Sequence, residues 1–171
     1  ALLPFVDYLE DGEAVVVRGA TRVCEYTGYA DTFRYAHRLP VPLKEDEVVV
    51  IDAVQHHHFA RSRRDLHKAF VAFAACEKAS ISTGAWGCGV FGGTLPHKLI
   101  QQAMAAQLAG KRIFFSFFHR HEERVRLQAL LDECDRAKPT LEWLLTNMEQ
   151  FQFLGGNYYS QLLNELKKMN A

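Results

Sequence analysis

Ser80-Ile-Ser-Thr-Gly-Ala-Trp-Gly-Cys-Gly-Val-Phe-Gly-Gly-Thr-Leu95 is the stretch on which the fold turns. Ser80 to Thr83 reads as a short strand, and glycines follow at 84, 87, 89, 92 and 93. Beyond Thr94, the spacing of Leu99, Ile100, Ala103, Met104 and Leu108 puts apolar side chains on one face of a helix over 95–108. Gly110 is placed to end it, and Ile113-Phe-Phe-Ser-Phe-Phe118 reads as a further, buried strand. Strand, glycine loop, helix and strand in succession point to an α/β layered fold with a largely parallel sheet.

The flanking segments extend this pattern. Upstream, Leu2 to Leu9 reads as a helix tail closed by Asp11-Gly12, and Ala14-Val-Val-Val-Arg18 as a strand. Thr21–Tyr26 and Phe33–His37 form strand-like edges around the polar turn Thr27-Gly28, and Pro40 and Pro42 are expected to break the chain. Val48-Val-Val-Ile51 is apolar throughout, the pattern of a strand covered on both faces. Leu66, Ala69, Phe70 and Phe73 share a helical face. Downstream, helical spacing recurs around Leu127–Cys134, Leu141–Met148 and Leu162–Met169, with 151–157 a loop before the last helix. The expected organisation is a single domain over residues 1–171.

Composition narrows the function classes. The 171 residues carry 20 Lys+Arg and 20 Asp+Glu, are 49% hydrophobic and 12% aromatic, and so do not describe a disordered chain. Charge neutrality argues against a protein held to DNA by phosphate neutralisation, so no direct DNA binding is expected. No apolar run approaches the roughly 20 residues a membrane helix needs, and Ala1-Leu-Leu-Pro-Phe5 does not read as a signal peptide. Since Ala1 is not Met, the chain reads as a fragment or a processed piece. Cys24, Cys76, Cys88 and Cys134 lack the close pairing of a zinc site and read as reduced intracellular thiols. His56-His-His58 and His119-x-His121 likewise lack a convincing ligand spacing, and no metal or cofactor is expected. His119-Arg120-His121 would at most form a local positive rim.

The glycine loop carries the sharpest chemical signal. Glycine lets the backbone turn tightly and approach a ligand without Cβ interference. Successive N–H groups then form a concave anion site, to which the following helix adds its positive end. Thr94 suits an N-cap and Pro96 the first turn. A phosphate or diphosphate cradle is the expectation; the alternative is a tight turn that binds nothing, against which the entropic cost of so many glycines weighs. Gly87, Gly89 and Gly92 also satisfy G-x-G-x-x-G, but the acidic residue that should follow the next strand is replaced by His119-Arg120. An NAD(P)-dependent oxidoreductase is therefore a secondary reading. Tyr29, beside Gly28 in Glu25-Tyr-Thr-Gly-Tyr-Ala30, is either a flat ring exposed at a turn and able to stack on a base, or a half-buried tyrosine bonded to a carbonyl.

Glu25-Tyr-Thr-Gly-Tyr-Ala30, Val50-Ile-Asp-Ala53 and Thr83-Gly-Ala-Trp-Gly-Cys-Gly-Val-Phe-Gly-Gly93, in that order, resemble the poly(ADP-ribose) glycohydrolase family, and Phe114-Phe-Ser-Phe117 follows where the family has a similar aromatic strand. The resemblance is dense from about Ala14 to Phe118 and thins towards Phe151. It implies a macrodomain-like three-layer α/β/α sandwich with a mixed, largely parallel sheet, here the C-terminal portion without its N-terminal strands. It further implies a cleft for ADP-ribose above the strand ends. By the same resemblance Tyr29 stacks on adenine, the loop Gly87, Cys88, Gly89, Val90 and Phe91 holds the diphosphate with the Phe91 ring near the ribose, and Phe117 lines the adenosine end.

Two departures accompany it. Ala85 stands where the family usually has Asn. The family's catalytic signature, a triple glycine followed by Gln-Glu-Glu, belongs upstream of the segment matching Ala14 and is absent from these 171 residues. Glu10-Asp11, Glu45-Asp46-Glu47 and Glu122-Glu123 lack the glycines and read as solvated charge runs. The resemblance thus implies the ADP-ribose-binding part of a hydrolase of ribose–ribose bonds, inactive alone, partnered by the missing segment and by poly(ADP-ribose) on modified proteins. It also implies nuclear or cytoplasmic work in the response to DNA damage. A non-catalytic reader of ADP-ribose is the alternative from another class.

Overall fold

The computed structural model describes residues 9–28, 30–44, 47–54, 59–89, 91–117, 121–151 and 157–170. Strand β1 (Val15–Arg18) pairs antiparallel with β4 (Glu47–Val50), Val16 standing opposite Val49. β2 (Thr21–Thr27) pairs antiparallel with β3 (Arg34–Lys44). Helix α1 (Phe59–Ala75) leads to β5 (Ser80–Thr83), and α2 (Leu95–Leu108) carries the chain across to β6 (Arg112–Phe115), parallel to β5 with Ile81 opposite Ile113. Helices α3 (His121–Ala137), α4 (Leu141–Phe151) and α5 (Tyr158–Met169) complete the chain. No helix among the described residues is long and apolar enough to cross a membrane.

This is the mixed α/β architecture expected, with a difference in pairing. Only β5 and β6 are parallel among the described strand pairs, whereas a largely parallel sheet was the expectation. For β2 and β3 the reason is connection length. Residues 28–33 between β2 and β3 are too few for the crossover that parallel strands require, so the chain turns back on itself. Only the β5–α2–β6 unit spends a helix on the return. Pro40 and Pro42 do not break the chain either, because β3 runs through both to Lys44. They fall where the ladder bulges, between the pairs Arg22–Leu43 and Cys24–Arg38. A proline that cannot donate to a ladder is accommodated at such a bulge.

The core gathers around α2. This helix packs against α1 and also meets β6 and α5, while α3 and α4 pack on α5. Leu99, Met104, Leu127, Leu130, Leu162 and Leu166 lie buried together, each contributing about 1.5–3 kcal/mol through removal from water. Strand β6 is not buried throughout as Ile113–Phe118 suggested. Its pleat alternates, leaving Phe114 61% exposed. Leu108, at the last turn of α2, is exposed as well. The expected helix tail before Leu9 lies outside the described residues; of the expected loop 151–157, Phe151 instead ends α4 and Asn157 is the N-cap of α5, while 152–156 lie outside the described residues.

Candidate functional site

The loop 84–93 leaves the carboxyl end of β5 and enters the amino end of α2. It is tied in where it leaves β5. Trp86 Nε1 donates to Ile51 O (3.3 Å), just past β4, and Ser116 N donates to Thr83 O (2.8 Å), bringing the segment after β6 to the same edge. Crevices outside the carboxyl ends of strands are where open α/β folds bind ligands. Gln102 on α2 braces the loop's start: Thr83 Oγ1 donates to its Oε1 (2.6 Å), and its Nε2 donates to Gly84 O (3.2 Å).

Inside the loop the amides divide into two groups. Trp86 N donates to Gly84 O, Cys88 N to Ala85 O, Gly92 N to Gly89 O and Gly93 N to Gly87 O, all at 2.8–3.0 Å. The N–H groups of Gly87, Gly89 and Phe91 make no hydrogen bond among the described residues. Gly87 has φ +74, and a Cβ there would stand 2.9 Å from Ala53 Cβ. Around Gly89 a Cβ would meet nothing within 4 Å, so that side of the loop is open. Thr94 sits at the N-cap position without a side-chain cap hydrogen bond; its carbonyl accepts from Lys98 N at 3.0 Å.

The residues singled out from the sequence are placed as follows. Gly87, Cys88, Gly89 and Phe91 line the loop, though Cys88 gives its own amide to the turn, and its Sγ lies 3.8 Å from Trp86 O. Phe117 follows β6 at the same sheet end, half-buried with its ring 5.0 Å from that of Phe115. Tyr29 and Val90 lie outside the described residues, as do His56–His58 and His119. The turn next to Tyr29 is described: a Cβ on Gly28 (φ +74) would come within 2.0 Å of Thr32 O, so only glycine fits there. Tyr26 and Phe33 close the tip with ring centroids 5.0 Å apart. Among the described residues no group of three His, Cys, Asp or Glu side chains is placed to hold a metal ion.

Beneath the loop lies a charge network that the sequence did not suggest. Lys98 from α2 is ion-paired with Asp65 from α1, which also accepts from Val54 N (3.2 Å) and Arg64 Nη1 (3.1 Å). Arg64 Nη2 reaches Asp52 Oδ2 (2.5 Å), and Lys68 Nζ reaches Asp52 Oδ1 (2.7 Å). Partial burial opposes ionisation of Asp52, but the bonds from Lys68 and Arg64 outweigh it and hold that carboxyl below the ordinary carboxylate value. For Arg64, its three carboxylate partners outweigh burial and raise the guanidinium above its usual value. Asp52 is thus ionised at neutral pH and has no proton to give, and Asp65 is fully buried with its oxygens occupied. The signals that could have exposed the network were charged residues set beside apolar ones: Asp65 next to Leu66, Lys68 next to Ala69, Lys98 in a helix's first turn.

Fold and site together define the class: an α/β domain whose glycine loop caps a parallel strand pair at a helix amino end. Residues 1–125 match the family model described as poly(ADP-ribose) glycohydrolase, macro domain fold. The chain belongs to that family. It is 26% identical over 162 residues to poly(ADP-ribose) glycohydrolase 1 of Caenorhabditis elegans, covering 78% of this chain and 21% of that protein. It is 32% identical over 87 residues to poly(ADP-ribose) glycohydrolase 1 of Arabidopsis thaliana, covering 44% of this chain and 16% of that protein. The chain therefore spans about a fifth of the length of the relatives it matches.

Proposed function

We propose that this chain is the ADP-ribose-binding part of a poly(ADP-ribose) glycohydrolase. The supporting observation is that the amides of Gly87, Gly89 and Phe91 have no acceptor among the described residues, in a loop open on one side and backed by the amino end of α2. Fixed N–H dipoles of this kind take up a diphosphate without requiring net positive charge. Tyr29 supplies the surface for adenine beside the rigid Gly28 turn, and Phe117 the apolar wall at the adenosine end.

Cleavage of a ribose–ribose bond needs a carboxylic acid to protonate the leaving oxygen as positive charge builds on the anomeric carbon. Asp52, held ionised by Arg64 and Lys68, is not that acid. In this reading paired glutamates outside these 171 residues donate the proton. The present residues bind and orient, so that the anomeric carbon meets those carboxylates, a positioning contribution to rate. The substrate is poly(ADP-ribose) on modified proteins, and the response to DNA damage, in nucleus or cytoplasm, is the matching context.

Calorimetric titration with ADP-ribose tests the reading. Tyr29→Ala should weaken binding about tenfold or more, since stacking on a base contributes about 1–3 kcal/mol. Unchanged affinity removes the stacking role. The 171 residues alone should release no ADP-ribose from polymer, and joining them to a segment with the paired glutamates should restore release. Robust hydrolysis by the chain alone would overturn the division of labour, while no hydrolysis by the joined protein favours a reader.

A further inference from the structure

We propose that Lys98 is the positioning residue of the diphosphate loop, an inference that rests on reading that loop as the ADP-ribose site. Lys98 is 3% exposed and belongs to the first turn of α2. That is an unfavourable place for a cation, because the helix dipole presents its positive end there. Packing alone would be served by Leu or Met. Yet its Nζ lies 4.5 Å from the centroid of the Trp86 ring, pairs with Asp65, and donates to Gln101 Oε1 at 3.0 Å. The stem of the same side chain supports the loop from beneath. A Cβ on Gly87 would stand 3.1 Å from Lys98 Cε, and one on Gly93 3.3 Å from it.

Lys98 therefore holds the glycine loop from the protein side, and through Asp65 it locks the loop to Val54 and to α1. Arg64, Lys68 and Lys98 face Asp11, Asp52 and Asp65 within the network, three cations against three carboxylates, so the support beneath the loop is balanced by itself. Lys98 acts on the site through Trp86 and the loop backbone, without touching the ligand.

The test uses Lys98→Met and the double variant Lys98→Met/Asp65→Asn, which leaves no unpaired carboxylate, alongside the unaltered chain. Calorimetry gives affinities for ADP-ribose and for adenosine, which lacks the diphosphate. Trp86 emission is followed in a Trp143→Phe background. The expected result is a loss of tenfold or more for ADP-ribose in both variants, adenosine affinity within twofold, and altered Trp86 emission without ligand. A folded double variant that binds ADP-ribose as the unaltered chain does, or that loses both ligands in step, overturns the assignment. So does failure of both variants to fold, which reduces Lys98 to a core ion. An unaltered chain that binds neither ligand overturns the ADP-ribose reading and this assignment with it, so the two failures are told apart.

Discussion

Gly93 N donates to Gly87 O at 2.8 Å, and a Cβ on Gly93 would stand 2.5 Å from that same oxygen. The bond closes the loop only because residue 93 has no side chain. Gly93→Ala should therefore open the loop and cost about 2 kcal/mol of stability, read by urea denaturation, with ADP-ribose affinity falling at least tenfold. Gly89→Ala is the contrast. Its Cβ enters open space and φ there is not positive, so stability should stay within about 0.5 kcal/mol while ligand affinity drops. Equal effects on stability would show that the open side is not open.

Gln102 joins Thr83 and Gly84 to α2. Gln102→Leu leaves the Thr83 hydroxyl without its partner and removes one of the two donors to Gly84 O, and should cost about 1–3 kcal/mol. Adding Thr83→Val removes the orphaned hydroxyl and should return part of that loss. A double variant no more stable than the single one would place the cost elsewhere.

The pH dependence follows from Asp52. Its folded-state pKa is below the ordinary 3.8, so its pairing stabilises the fold above that value and is lost as pH falls through the lower, folded one. Thermal melts should show the unaltered chain losing stability more steeply than Asp52→Asn below about pH 4. Because the carboxylate is partly exposed, solvent screening keeps the difference small. Parallel curves would mean that Arg64 and Lys68 do not hold it.

Leu162 is fully buried among the helices. Leu162→Ala should cost about 2–5 kcal/mol, whereas Leu108→Ala, on an exposed turn, should cost about 0.5 kcal/mol or less beyond its small propensity effect. Denaturant midpoints compare the two directly.

What could be read beforehand depended on whether neighbours in sequence decide the outcome. The α2 limits, Leu95 and Leu108, follow from apolar spacing and from the glycines on either side, and they are the limits found. The Gly28 turn was legible because glycine and polar residues mark it, and the backbone there excludes a Cβ. Phe114 misled because an aromatic run looks buried until the pleat decides which rings face inward. Pro40 and Pro42 misled because only the partner strand reveals a bulge. Lys98, Asp65, Arg64 and Gln102 escaped notice for a deeper reason. A charged or amide side chain reads as solvated unless its partner is known, and each of these finds one on another element. For the site, the glycine loop was legible, while its internal support was not.

The two prolines of β3 also bear on solubility. An exposed two-stranded ribbon with a free margin invites other polypeptides to add on by main-chain pairing. Pro40 and Pro42 have no N–H to offer, and they stand at a place where the backbone is already bowed, two features that discourage such addition. This ribbon, for all the apolar surface of Val41 and Leu43 it shows to water, carries its own guard against growth into fibres.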